Sequence, residues 1–207
     1  MQTPIASAEF AAVDFESAGA RRGGTDHPVQ VGWAIMRGLE IDAGDFFRSY
    51  LKPEGPITWA AQKAHGITAA DLGGAPPLLT LWPQVQGALR GRAVVAHAAG
   101  TERRFLRAFP FHGFGPWVDT LRVAQAAFPD LDCHALGPLT EALGLKAEAD
   151  ALCEGLAWHD ALYDSVASLL VLRHTVRALG IGHLPVAALL RPDAAEYYRL
   201  RAQRGEH

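Results

Sequence analysis

The amino-acid sequence predicts an α/β fold: a mixed five-stranded sheet, three leading antiparallel strands and then parallel ones, flanked by helices. Three observations carry this expectation. Three β-type runs open the chain and are joined by short, turn-rich connections. Strand and helix patterns then alternate through the middle of the chain. Finally, residues 161–179 form one long helical stretch that is apolar around much of its circumference, as a helix buried against a sheet should be.

The elements follow in order. Residues 9–14, with Phe10, Ala11, Ala12 and Val13, read as a buried strand. Arg21-Arg22-Gly23-Gly24 is a turn-rich loop, and residues 29–36 form a second strand. Turn signals fill residues 38–44, after which residues 45–51 alternate apolar and polar side chains until Pro53 ends a third strand. Connections this short favour antiparallel neighbours. The pattern then becomes helical: residues 58–64 are stopped by Gly66, and Pro76-Pro77 precedes residues 78–89. Residues 93–96 form a short buried strand. Thr101 is the expected N-cap of a helix over residues 102–109. Val118 closes a further short strand, helices follow at 121–128 and 136–143, and a loop leads to the helix at 161–179. Asp193 and Glu196 resemble a capping box that opens a last, more exposed helix. Residues 1–184 are expected to form one domain and residues 185–207 a helical tail.

Composition bounds the function. Among 207 residues, 49% are hydrophobic and 20% charged, which excludes wholesale disorder. The 19 basic and 22 acidic residues give a net charge of −3, which argues against a protein that coats nucleic acid. Cys133 and Cys153 build neither a disulfide framework nor a C-x-x-C pair. With no signal-like leader and no apolar run near membrane-spanning length, a cytoplasmic location is expected.

Three polar clusters carry chemistry. In Phe10-Ala11-Ala12-Val13-Asp14-Phe15-Glu16-Ser17, strand alternation puts Asp14 and Glu16 on one face, about 6.6 Å apart along the strand. Carboxylates so placed repel unless one is protonated or a cation lies between them. All-oxygen donors suit Mg²⁺ or Mn²⁺. The plain alternative makes Asp14 a strand-end turn residue and Glu16 part of a solvated loop. His159 and Asp164 are five positions apart, about 140° around a single helix. They converge only if His159 sits on the loop before the helix, where Gly155 favours a turn. There the imidazole is suited to general-base work. Otherwise His159 is a surface residue and Asp164 complements the helix dipole. His97 follows the short strand at 93–96, and Glu102 opens the next helix at the sheet edge where α/β sites form; taken alone, this cluster better fits Glu102 complementing the helix dipole and His97 capping the strand. Arg103, Arg104 and Arg107 are placed to approach substrate phosphates, but better fit a solvated helix face. Cys133-His134 with Cys153 or His159 matches no common zinc spacing.

Together these segments resemble the DEDDh-type 3′→5′ exonucleases, the group that includes DNA polymerase proofreading subunits, oligoribonuclease and ribonuclease T. Asp14-Phe15-Glu16-Ser17 is similar to the family's first motif, D-x-E-[TS]. His159-Asp160-Ala161-Leu162-Tyr163-Asp164 matches its third, H-x-A-x-x-D. Val29-Gln30-Val31-Gly32, His65-Gly66-Ile67-Thr68, Val118-Asp119-Thr120-Leu121 and His134-Ala135-Leu136 support the resemblance, which spans about residues 9–175. The second motif departs: the family's H-N-x-x-F-D stands here as His97-Ala98-Ala99-Gly100-Thr101-Glu102, with Glu102 in the register of the second aspartate.

The resemblance implies a ribonuclease H-like fold and a two-metal mechanism using Mg²⁺ or Mn²⁺. Asp14, Glu16 and Asp164 would be direct metal ligands, Glu102 would act through water, and His159 would be the general base. Phe15, Ser17 and His97 would contact substrate, with Phe15 shaping a terminal-nucleotide pocket. The implied substrate is a single-stranded or frayed 3′ end, DNA before RNA, released as nucleoside 5′-monophosphates. An RNA-directed exonuclease and a nucleic-acid-binding module with a degenerate site are the alternatives. A polymerase or a second copy of the chain is an open partner.

Overall fold

The computed structural model describes residues 2–20 and 23–203. Its strands are β1 (Glu9–Ser17), β2 (Pro28–Arg37), β3 (Glu40–Ile41), β4 (Phe47–Tyr50), β5 (Ala93–Ala96) and β6 (Trp117–Asp119). Its α-helices are α1 (Trp59–His65), α2 (Trp82–Leu89), α3 (Gly100–Leu106), α4 (Thr120–Ala127), α5 (Leu136–Ala142), α6 (Lys146–Leu152), α7 (Ala161–Leu179) and α8 (Ala194–Gln203).

The strands form one mixed sheet in the order β3-β2-β1-β5-β6, with β4 also paired to β2. β2 pairs antiparallel with β1, β3 and β4, whereas β5 joins β1 and β6 joins β5 in parallel. The sheet therefore has six strands among the described residues, one more than the sequence suggested. The addition is β3, hidden in a stretch that reads as pure turn. Gly38 and Leu39 both adopt positive φ, 57° and 66°, the geometry of a tight hairpin that folds two residues back onto β2. Two residues are too few for alternation to reveal. The expected turn at Arg21 to Gly24 lies partly outside the described residues.

Helices also differ locally. The stretch before His159 contains α6, built from the strong helix formers Lys146, Ala147, Glu148 and Ala149 and braced by a Lys146–Asp150 ion pair of 2.7 Å. Thr101 does not cap α3, which begins at Gly100, two residues before the expected start, with Ala99 at the N-cap position. Thr58 caps α1 by accepting from Ala61 N–H at 3.2 Å, and left-handed Gly66 ends it.

The two sheet faces bury separate cores. Phe10 and Ala12 of β1 face α7, packing with Val166, Leu169 and Leu170, while Ala11, Val13 and Phe15 face α2 and α3 with Val85, Leu89, Phe105 and Leu106. This alternation continues to the strand end, so Asp14 and Glu16 emerge on the α7 side. The stretch after residue 184 is helical at Val186–Leu189 and in α8, and Val186, Leu189 and Tyr197 are buried in the α7-side core. No helix among the described residues is long and apolar enough to cross a membrane.

Candidate active site

The C-terminal ends of β1 and β5 and the N-terminal end of α7 meet at one edge of the sheet. Asp14 lies opposite Gly32 and Glu16 opposite Gln30 in the β1–β2 register, which shifts between Glu16 and Ser17. Glu102 is the third residue of α3 and only 4% exposed. Asp164 occupies the first turn of α7, and His159 sits on the preceding loop at φ 66°, a strained conformation for a non-glycine residue. Ligand atoms of Glu16, His159 and Asp164 all lie within 4.8 Å of one another. Asp14 is close enough to Asp164, Glu102 and Glu16 for each to raise its pKa. The five expected catalytic residues thus converge, and His159 lies on the loop rather than the helix.

The position of α7 depends on β2 and β4. Asp160 caps the helix, accepting from Leu162 N–H at 3.1 Å; its other oxygen accepts from Gln30 Nε2 at 3.0 Å and Arg48 Nη1 at 2.7 Å. Gln30 returns its amide oxygen to Ala161 N–H at 2.8 Å, so a buried side chain satisfies an orphan helix donor. Ser165 Oγ donates to the Gly32 carbonyl at 3.0 Å. A Cβ on Gly32 would stand 2.2 Å from Leu162 N, so only glycine admits the helix this close. Gln30 and Gly32 belong to a motif noted in the sequence without a role. Arg48 gave no signal, since its partner lies 112 positions away.

Asp119 organises the second motif. Its carboxylate accepts from Ala98 N–H at 3.0 Å and Ala99 N–H at 3.4 Å while also capping α4 at Leu121 N–H. These contacts hold Ala98 at φ 62°, a left-handed conformation that disfavours a Cβ. Ala98→Gly is therefore expected to stabilise the fold by about 1 kcal/mol, measured as a rise in the urea midpoint; an unchanged or lower midpoint would contradict this account.

The side chains of two residues expected to contact substrate are engaged within the protein. His97 donates from Nε2 to the His134 carbonyl at 2.8 Å and accepts the Thr120 hydroxyl at Nδ1, 3.0 Å away. Both ring nitrogens are used inside the protein, and burial pulls the pKa down, so His97 is a strut for the loop. The Phe15 ring is 5% exposed and meets Phe105 edge-on at 5.4 Å, on the strand face opposite Asp14 and Glu16. It backs the strand instead of lining the cleft. Ser17 borders the site: its carbonyl accepts from His65 Nε2 at 3.1 Å. His65 Nδ1 accepts from Ile67 N–H at 3.0 Å, which fixes the neutral tautomer, and burial lowers its pKa in the same sense.

The carboxylates are electrostatically unsatisfied. Burial raises Asp14 well above the usual range, with Asp164, Glu102 and Glu16 adding repulsion. Glu16 is pushed to about 8 by burial, Asp164, Asp160 and Glu102. Asp164 rises to about 7 through burial and repulsion from Asp160, against a backbone hydrogen bond that lowers it. Glu102 also rises to about 7 through burial, with Asp119 adding repulsion and Arg104 offsetting part of it. Glu102 Oε2 and Asp164 Oδ1 are buried with no hydrogen-bond partner among the described residues. Unpaired acceptors of like charge, collected in one cleft, are a donor set that fits a hard divalent cation.

The exonuclease family model RNase_T matches residues 11–172. A DNA polymerase III subunit epsilon-like protein of Rhodobacter capsulatus is 30% identical over 172 residues, covering 81% of this chain and 23% of that protein. A PolC-type DNA polymerase III of Streptococcus thermophilus is 29% identical over 127 residues, covering 59% of this chain and 8% of that protein. The chain thus spans under a quarter of the length of these relatives. Among solved structures, exonuclease X in complex with 5′ overhanging duplex DNA shares the fold at a TM-score of 0.68 and 22% identity, covering 85% of this chain and 97% of the other. The nuclease domain of 3′hExo, a DEDDh family member bound to rAMP, also gives 0.68 at 14% identity, covering 86% and 96%. With its carboxylates gathered from β1, α3 and α7, and the family match running across them, this chain belongs to the RNase_T exonuclease family.

Proposed function

We propose that the chain is a metal-dependent 3′→5′ exonuclease acting on single-stranded 3′ ends, DNA before RNA, and releasing nucleoside 5′-monophosphates. The observation that carries this reading is the convergence of Asp14, Glu16, Glu102 and Asp164, with two buried oxygens unpartnered among the described residues and His159 beside them. The polymerase names of the sequence relatives favour DNA as the substrate and a polymerase as partner over a homodimer. Free thiols at Cys133 and Cys153 suit a cytoplasmic location.

Asp14, Glu16 and Asp164 would hold two Mg²⁺ or Mn²⁺ ions directly, with Glu102 acting through water. Bound there, the ions would offset the charge of the scissile phosphate and favour both attack by water and departure of the 3′ oxygen. His159 takes the proton from the attacking water; its exposed ring then passes that proton to solvent. The strained loop and the Asp160 cap hold the imidazole at the mouth of the carboxylate cleft. The catalytic unit is residues 1–184, with residues 185–207 a tail whose helix α8 packs on α4 and α7.

The direct test is incubation with 5′-labelled single-stranded DNA and RNA in Mg²⁺, Mn²⁺ or EDTA. Stepwise shortening from the 3′ end that stops in EDTA is expected; binding without shortening of either polymer would overturn the reading. His159→Ala should lower turnover by roughly 10²–10⁴-fold while keeping the metal-induced rise in melting temperature. Normal turnover in that variant would rule out the assigned base.

A further inference from the structure

Helix α1 stands beside the end of β1 that carries Asp14 and Glu16. Its start is tied there by Thr58 N–H, which donates to the Ala18 carbonyl at 2.7 Å, and its last turn by His65, which donates to the Ser17 carbonyl at 3.1 Å. Between these bonds the helix is pressed onto the chain: a Cβ on Gly19 would stand 3.2 Å from Ala61 Cβ. His65 is also near enough to His159 for the two rings to repel when charged. From Glu16 to Trp59 the path crosses two residues, one hydrogen bond and one peptide unit, at most about 18 Å between Cα atoms. A strand whose 3′ end occupies the carboxylate cleft has its next few nucleotides within that reach.

The outer face of α1 carries an aromatic ring and a cation together. Trp59 and Lys63 are each two positions from Ala61, about 200° around the axis, so they share the side turned away from Gly19. The Lys63 ammonium stands over the indole, 5.1 Å from its centroid. Trp59 is nonetheless 75% exposed, so most of the ring remains open. Among the described residues no carboxylate forms an ion pair with Lys63. A lone exposed aromatic calls for no explanation. An open indole with an unpaired cation on it, one short helix from the carboxylate cleft, is the combination that single-stranded nucleic acid fits: a base stacks on the ring and a phosphate meets the ammonium.

We propose that α1 is a stacking platform for the incoming strand, in which a base a few nucleotides upstream of the 3′ end lies on Trp59 and Lys63 contacts a neighbouring phosphate. The inference rests on the exonuclease reading above and names where that enzyme holds its substrate outside the cleft. Every base has a π-face, so the platform sets a preference for length and not for sequence. Stacking needs an unpaired base, because a duplex hides the faces of its bases. The platform therefore favours a strand that is single for several nucleotides before the scissile bond. Phosphate supplies the anion that Lys63 lacks within the folded chain, and the acidic cleft has no cation of its own to draw the backbone in.

Fluorescence anisotropy with 5′-labelled dodecathymidylate, its 3′-terminal linkages made phosphorothioate to slow hydrolysis, measures the platform in Mg²⁺. Trp59→Ala should weaken binding by about 5- to 150-fold, and Trp59→Phe, which keeps a ring, by less. Removing so exposed a ring leaves no core cavity, so both variants should keep the wild-type urea midpoint. Lys63→Gln should flatten the slope of log affinity against log salt by about 0.7, the share of one phosphate contact on a single strand. Competition by dTMP reports the cleft alone, and Trp59→Ala should weaken it far less than it weakens the dodecamer. Wild-type dodecamer affinity in Trp59→Ala would overturn the proposal and leave this face to a protein partner; an equal loss for dTMP would overturn it by moving Trp59 into the terminal-nucleotide site. If affinities match while the unmodified strand is shortened, the platform fails and the exonuclease stands. A loss confined to the dodecamer, in a chain that shortens nothing, would keep the platform and discard hydrolysis.

Discussion

Asp14→Asn is expected to abolish 3′-end shortening, by at least about a thousandfold, and at the same time to raise the melting temperature of the metal-free chain. The two effects share one origin. Asp14 sits among Asp164, Glu102 and Glu16, each of which raises its pKa on top of burial. Glu16 stands near 8, and Glu102 and Asp164 near 7, against ordinary values of 4.5, 4.5 and 3.8. The folded chain therefore holds protons that the unfolded chain has released, and its metal-free stability falls as pH rises from about 4 to about 8. A neutral, isosteric amide at position 14 removes the group whose charged form burial and the three neighbouring carboxylates disfavour. A divalent cation offsets the clustered charge of the native site, so the Mg²⁺-induced gain in melting temperature should be larger near pH 8 than near pH 6 in wild type. Asp14→Asn should show much less of that gain. Differential scanning fluorimetry in EDTA and in Mg²⁺ across that pH range measures both quantities. A variant less stable than wild type in EDTA at about pH 8 would contradict the electrostatic account, and retained shortening would remove Asp14 from the site.

Gly32→Ala is the second large effect, and it acts at a distance from the reacting atoms. The added methyl group would stand 2.2 Å from Leu162 N and 2.4 Å from Ala161 C, both backbone atoms with no rotamer to yield. The first turn of α7 must move outward, weakening the Gln30–Ala161 and Ser165–Gly32 hydrogen bonds. Overpacking of this kind costs about 1–3 kcal/mol. A shift near 1 Å in catalytic groups lowers turnover by about 100-fold, and Asp164 and His159 both travel with this helix start. Urea unfolding and the shortening assay should therefore fall together, with metal response weakened as well. Wild-type turnover in Gly32→Ala would show that α7 is not seated by this contact.

Much of the site is legible as local spacing. Asp14 and Glu16 share a face because strand side chains alternate, and Phe10 and Val13 mark that strand as buried. His159 and Asp164 cannot converge on one helix, and Asp160 duly begins α7 between them. The apolar run from Leu162 to Leu179 places α7 in the core without further information. Even Glu102, outside the family's usual pattern, could be assigned by register alone. Other features escaped the same reading. β3 has two residues, and α6 has only seven, so the i, i+4, i+7 spacing of Leu145, Ala149 and Leu152 spans too few turns to stand out from loop.

What the sequence determined by itself was the type of each long element, the face each acidic residue would take, and the family those residues resemble. These follow from periodicities within a few residues, which the backbone imposes wherever it folds. Tertiary structure alone decided that Gln30 and Arg48 would hold the Asp160 cap, that His97 would turn both ring nitrogens inward, and that Phe15 would pack away from the cleft. Those outcomes depend on which surfaces meet across separations of 23 to 130 residues. Close packing settles such meetings through the fit of whole elements, and no local pattern in the chain records them.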